Sequence, residues 1–251
     1  NKEGVTYPIE KFNEIWHEFL RRNNLKPSDR VEESKEIHPP SKIEEYVNRA
    51  RELLRKYPDM SEATTISALI DPRLELLGWN TRNPDEVQRE FRVRGRKGFE
   101  HVDMALMIEE KPVIFIEVKS SGSKLEEGDE IQVTSYAFNS GVDWCVLTNG
   151  REIRVYDVMR GRTLKERLLF TVTIDKYIEN LDKIMLLSKE SFKRGKLQEW
   201  SLRRLILEKI VSYIERKEQE IVEELLKSDG RLNKETVREI LEIIIDRCRR
   251  I

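Results

Sequence analysis

Two adjacent apolar runs carry charges that a buried strand ordinarily excludes, and no other stretch constrains the chain as strongly. The runs are His101–Ile108 and Pro112–Lys119, rich in β-branched and apolar residues and separated by the polar turn Glu109-Glu110-Lys111. Both read as strands. Asp103 lies in the first, Glu117 and Lys119 in the second. Side chains alternate along a strand, so Glu117 and Lys119 share a face. A three-residue turn would pair Ile108 with Pro112 and set Asp103 opposite Glu117. Val102, Met104, Leu106, Ile108, Ile114, Ile116 and Val118 would then form one apolar face. Asp103, Glu117 and Lys119 would gather at one end of the other.

Ionised groups are rarely buried unless paired or bound to metal. Adjacent carboxylates repel, and one takes up a proton unless a cation lies between them. Mg²⁺ (or Mn²⁺) suits such a pair, because a hard cation takes oxygen ligands and is held by one or two carboxylates plus substrate phosphates. A lysine on the same face can orient or help deprotonate a metal-bound water. Together these are the parts needed for metal-assisted phosphodiester hydrolysis.

Val102-Asp103 followed by Glu117-Val118-Lys119 resembles the PD-(D/E)xK nuclease motif, with valine where the motif name has proline. Gln132-Val133-Thr134-Ser135-Tyr136 resembles the QxxxY motif found beside it in type I restriction enzymes. Ile70-Asp71-Pro72-Arg73-Leu74-Glu75-Leu76-Leu77-Gly78-Trp79 and Leu147-Thr148-Asn149-Gly150 are similar to flanking segments of the same nuclease domain, at the N-terminus of type I R subunits. The resemblance covers roughly Ser61 to Val158. It implies a restriction-endonuclease-like α/β fold, a mixed sheet of αβββαβ order flanked by helices. It also implies a metal-dependent DNA endonuclease with DNA and other restriction-system subunits as partners. Asp103 and Glu117 would hold Mg²⁺ or Mn²⁺, and Lys119 would serve the attacking water. Gln132 and Tyr136 would position substrate, water or Lys119. Glu62 matches the place of a further metal-site glutamate, and a simple first-turn acid is the competing reading. The chain lacks a GxxxxGK[ST] loop, so the nuclease is expected to stand without a motor.

The chain has 251 residues, enough for one α/β domain and a smaller appendage. Charged residues make up 37% and the formal net charge is −1. DNA contact must therefore come from a local patch rather than from global basicity. The abundance of Glu, Lys and Arg suits a thermophile. Cys145 and Cys248 are far apart in sequence and read as reduced and inert, in a cytoplasmic protein. With no signal peptide or long apolar run, no membrane role is expected.

In chain order, Ile9 to Arg22 reads as an amphipathic helix with Phe12, Ile15, Trp16 and Phe19 on one face. Asn23 to Pro40 reads as a linker. Ser41 can cap a helix running to about Tyr57, and Ser61 begins another that Pro72 kinks or restarts and Gly78 stops. Val87 to Arg94 is a strand. Arg89, Arg92, Arg94, Arg96 and Lys97 concentrate positive charge just before the hairpin. They are either a solvated edge or a DNA-phosphate contact. His101 shares the face of Asp103 and reads as structural or as a substrate contact. A helix from about Asp129 to Asn139 would pack through Ile131, Ser135 and Phe138, with Gln132 and Tyr136 on an adjacent face.

Val142 to Thr148 and Ile153 to Val158 flank Asn149-Gly150, a type I′ hairpin signal. Leu168 to Ile174 can add a strand. Leu197 to Lys227 forms a long helix of roughly 45 Å with Leu207, Ile210, Ile214, Ile221 and Leu225 on one side. Asn233 caps a last helix lined by Val237, Ile240, Leu241, Ile244 and Ile245. These two give a C-terminal helical hairpin. The expected organisation is an N-terminal helical extension over 1–58, a nuclease-like domain over 59–174 and a helical region over 175–251. The rival functions are a non-catalytic DNA-binding or assembly subunit that keeps the fold, and a resolvase-like homodimer acting on branched DNA.

Overall fold

Strand order in the sheet follows chain order without interruption, and a crossover helix separates two antiparallel groups. A computed structural model describes residues 40–95, 98–228 and 232–250. The helix expected over 9–22, the stretch up to 39, Arg96 and Lys97 lie outside the described residues. Helix α1 (Pro40–Lys56) is followed by a turn of helix α2 (Glu62–Thr65), a π-helical turn (Ile66–Ile70) and α3 (Asp71–Leu76). Ser61 caps α2 as expected, its hydroxyl accepting from the Thr64 N–H at 3.3 Å. Pro72 sits at the start of α3, where its missing N–H costs little. Gly78 ends the run with φ +83°.

The strands are β1 (Val87–Gly95), β2 (Gly98–Ile108), β3 (Lys111–Val118), β4 (Trp144–Thr148), β5 (Glu152–Asp157) and β6 (Leu168–Thr173). Helix α4 (Glu127–Asn139) makes the crossover between β3 and β4, which pair in parallel; all other neighbours are antiparallel. This is the expected mixed α/β architecture.

One sheet face packs Met104, Leu106, Ile114, Ile116 and Val118 against α1, Leu69–Leu77 and the segment around Ile184 and Leu197. The opposite face packs Ala105, Phe115, Cys145 and Leu147 against Val133, Tyr136 and Ala137 of α4. Burial pushes the Cys145 thiol up, and both cysteines are free.

The hairpin register holds at the charged end and differs at the turn. Met104 pairs with Ile116, so Asp103 and Glu117 come next on their strands. At the other end Ile108 pairs with Lys111, not Pro112. The turn is two residues, Glu109 and Glu110, with φ +49° and +63°, as a type I′ turn requires. A bulge between Leu106 and Met107 absorbs the difference.

Val102 also departs from expectation: it packs with Ala105 on the α4 side, not with Met104. The cause lies in the β1–β2 ribbon. Met104 pairs with Arg89, and Val102 pairs with Phe91, which also faces α4. Between these rungs the ribbon turns over, and the intervening positions are Glu90 and Asp103. Glu90 has φ +46°, unusual for a non-glycine residue. Asp103 thus escapes both core faces.

Two further expectations are corrected. Helix α4 does not pack through Ile131 and Phe138, which are 36% and 55% exposed; Val133, Thr134, Tyr136 and Ala137 are buried instead. In the β4–β5 connection, Asn149 is not a central turn residue. Its N–H meets the Glu152 carbonyl, and Gly150 and Arg151 lie between them, with Gly150 at φ +82° and Arg151 not at positive φ. A type I′ turn would need both positive.

Helix α5 (Leu164–Arg167) precedes β6, and α6 (Leu181–Met185) and α7 (Lys189–Lys193) lead into α8 (Lys196–Ser228). The start of α8 is tied to the sheet: Ser201 Oγ donates to Asp157 Oδ2 at 2.7 Å, Trp200 meets Phe170 edge-on, and Arg160 pairs with Glu208. Helix α9 (Lys234–Arg250), capped by Asn233, packs Val237 and Leu241 on Ile214 and Val222. Ile240 and Ile244, expected in that seam, are exposed, as is Leu225.

Candidate active site

The end of β3 places Glu117 and Lys119 beside Asp103 of β2, with α4 covering them. Asp103 Oδ2 accepts from the Val118 N–H at 2.6 Å. Glu117 is 5% exposed. Its Oε1 accepts from Lys119 Nζ at 2.9 Å and from Gln132 Nε2 at 3.3 Å. Its Oε2 is buried and has no hydrogen-bond partner. Lys119 Nζ also lies 3.8 Å from Asp129 Oδ1. Gln132 Nε2 donates to the Tyr136 hydroxyl at 3.0 Å, and that hydroxyl donates to Glu100. Tyr136 follows Gln132 by four positions, so one helical turn stacks them on the face toward the sheet.

The electrostatics follow from burial. Desolvation, reinforced by the Asp103 charge, pushes Glu117 up to about 7 against the opposing pull of Lys119. Asp103 is also raised, by burial first and by Glu62 and Glu90 behind it, although the Val118 N–H stabilises its charged form. Burial pulls Lys119 down, but the hydrogen bond and charge of Glu117, with Asp129 and Glu62, outweigh it and hold the ammonium above its ordinary value. Lys119 is thus held as an ammonium, a positive charge beside the two carboxylates. Burial and the Glu100 carboxylate push Tyr136 up to about 12.

A divalent cation fits these donors. An acid oxygen that is buried and unpartnered, next to a second raised carboxylate, lacks the positive charge that would settle it. Among the described residues no three His, Cys, Asp or Glu side chains are grouped closely enough to hold a metal ion. The donors open to such a cation would be Asp103 and Glu117, in keeping with one that retains several waters. Glu62 is exposed on α2 and acts on both carboxylates and Lys119 through its charge.

Residues 82–168 match the family model described as type I restriction enzyme R protein N terminus. That span contains Asp103, Glu117, Lys119, Gln132 and Tyr136 and leaves Glu62 outside. No curated protein matches the chain. Among solved structures, a fragment assigned as the HsdR subunit of a type I restriction enzyme from Vibrio vulnificus YJ016 aligns at 23% identity with a TM-score of 0.35. The alignment covers 50% of this chain and 26% of that one. A DrdV–DNA complex aligns at 14% identity with a TM-score of 0.40, over 75% of this chain and 17% of that one. The chain thus spans well under two thirds of either structure.

The R-subunit-like span also holds the basic hairpin. Arg92 and Arg94 are exposed on β1, and the Arg92 guanidinium stacks 3.6 Å from the centre of the Phe99 ring. Arg89 is taken up by a 2.5 Å ion pair with Asp71. His101 is exposed across from Arg92. Two residues at the site carry little signal in the sequence. Asp129 is legible there only as a helix-start acid, a role it also fills by accepting from the Glu126 N–H. Glu100 has no distinguishing signal, since only the turned-over ribbon brings it to Tyr136.

Proposed function

We propose that this chain carries a metal-dependent DNA endonuclease centre of the type I R-subunit kind. The observation that carries this reading is Glu117 Oε2, buried and unpartnered beside Asp103. Asp103 and Glu117 would hold Mg²⁺ or Mn²⁺. When bound, such an ion polarises a phosphodiester and lowers the pKa of a water ligand. Lys119, kept protonated by Glu117 and Asp129, holds a positive charge where negative charge develops on the phosphate. Gln132 steadies the Glu117 carboxylate by donating to the same oxygen as Lys119. Arg92 and Arg94, with Arg96 and Lys97, would meet DNA phosphates without reading sequence. Other restriction-system subunits would be the assembly partners.

The test incubates purified protein with supercoiled, linear, single-stranded and branched DNA in Mg²⁺ or Mn²⁺, with EDTA controls. Metal-dependent cleavage of any of these supports the reading. If neither metal supports cleavage of any form, even beside a candidate motor subunit, the enzyme reading is abandoned for the assembly one.

A further inference from the structure

We propose that Glu100 is a positioning residue that sets the direction of the hydrogen-bond chain ending on Glu117. This role rests on the function proposed above. The Tyr136 hydroxyl has a single proton, and it is given to Glu100. Its remaining capacity is to accept, so the group of Gln132 that faces it must be a donor. The amide therefore turns Nε2, not Oε1, toward Tyr136, at 3.0 Å. The same nitrogen lies 3.3 Å from Glu117 Oε1. A carboxylate at one end thus holds the amide, through Tyr136, in the orientation that a second carboxylate requires at the other. With Lys119 also on Oε1, both donors converge on that oxygen and leave Oε2 for a cation.

Without an acceptor at position 100, the hydroxyl is able to donate to Gln132. The amide is then free to turn its carbonyl oxygen toward Glu117, where it repels the carboxylate. Glu100 also belongs to β2, in the hairpin that bears Arg92 and Arg94, so the orientation of Glu117 is tied to the element proposed to meet DNA. Partners that orient a metal ligand ordinarily change metal affinity by about 10- to 100-fold.

The experiment compares wild type, Glu100→Ala, Glu100→Gln, Tyr136→Phe and the Glu100→Ala/Tyr136→Phe double variant. One readout is the side-chain amide resonances of Gln132 by ¹⁵N NMR, which needs no metal and no cleavage. The other is Mn²⁺ affinity by calorimetry. Glu100→Ala is expected to shift the Gln132 resonances and weaken Mn²⁺ on the order of 10-fold. Glu100→Gln, which keeps an acceptor for the hydroxyl, should restore most of both. The double variant should lose no more than Tyr136→Phe alone. Unmoved Gln132 resonances in Glu100→Ala overturn the proposal. So does unchanged Mn²⁺ affinity in that variant, or a loss that adds in full to that of Tyr136→Phe. If wild type binds no Mn²⁺, the proposed function fails, and the resonances alone decide the role of Glu100.

Discussion

Asp103 Oδ2 is held by the backbone N–H of Val118, the residue that follows Glu117, at 2.6 Å. One carboxylate is therefore fixed to the main chain beside the other, and the spacing of the pair does not depend on two free rotamers. A pre-set pair of like charges is costly without a cation and favourable with one.

The first prediction concerns that cation and pH. Asp103→Ala and Glu117→Ala are each expected to abolish Mn²⁺ binding without unfolding the protein. In wild type, Glu117 near 7 must lose its proton before it can bind metal. Mn²⁺ affinity should rise roughly tenfold per pH unit below that value and level off above it. Calorimetric titration between about pH 5.5 and 8.5 checks both. Binding that survives in the two alanine variants removes these residues as ligands.

The same shift sets stability in the absence of metal. Glu117 is raised from 4.5 to about 7 on folding, so the native state holds a proton that the unfolded chain releases. Stability should fall as pH rises through that window, and the full cost is present above it. Glu117→Gln is expected to raise the unfolding free energy near pH 8 by roughly 1–2 kcal/mol, with little change near about pH 4.5. Urea unfolding at the two pH values measures this. A variant less stable than wild type under the alkaline condition would contradict it.

Lys119→Ala separates a nuclease from a binding module. It removes a positive charge but leaves both carboxylates, so Mn²⁺ affinity should hold or rise slightly. Cleavage should drop by roughly 10² to 10⁴, read on the best DNA substrate under single-turnover conditions. A variant that cuts as wild type does would exclude Lys119 from the chemistry.

DNA binding through the hairpin is tested by salt dependence. Arg92→Ala with Arg94→Ala should reduce the slope of log affinity against log salt by about 0.9 for each phosphate that these side chains neutralise, while Mn²⁺ affinity stays the same. Filter binding across a salt series supplies the slope. An unaltered slope would return these arginines to the role of solvated strand-edge charge.

The hairpin register at Asp103 and Glu117 was legible because the apolar pattern and the charges demanded the same pairing. The turn was not, since neither Glu109 nor Glu110 is a residue type that advertises positive φ. Val102 misled because strict alternation assumes a ribbon that never changes sides. Helix α4 misled for another reason: its exposed Ile131 and Phe138 are more apolar than the Thr134 and Tyr136 that it buries. Tyr136 packs its ring in the core on the α4 side while its hydroxyl joins the polar chain, a pairing that a hydrophobic pattern does not register.

The turned-over ribbon also determines how the chain tolerates change. Along β2, Met104 and Leu106 face one core, Ala105 and Met107 the other, and Val102 falls in with the second set. A position-by-position substitution map of β2 would therefore show its periodicity slip by one residue at Asp103. A one-residue deletion on the tip side of that rung would invert only the outer hairpin. The same deletion on the turn side would drag Asp103 out of reach of Val118, so an equal edit weighs very differently on the two sides of one aspartate.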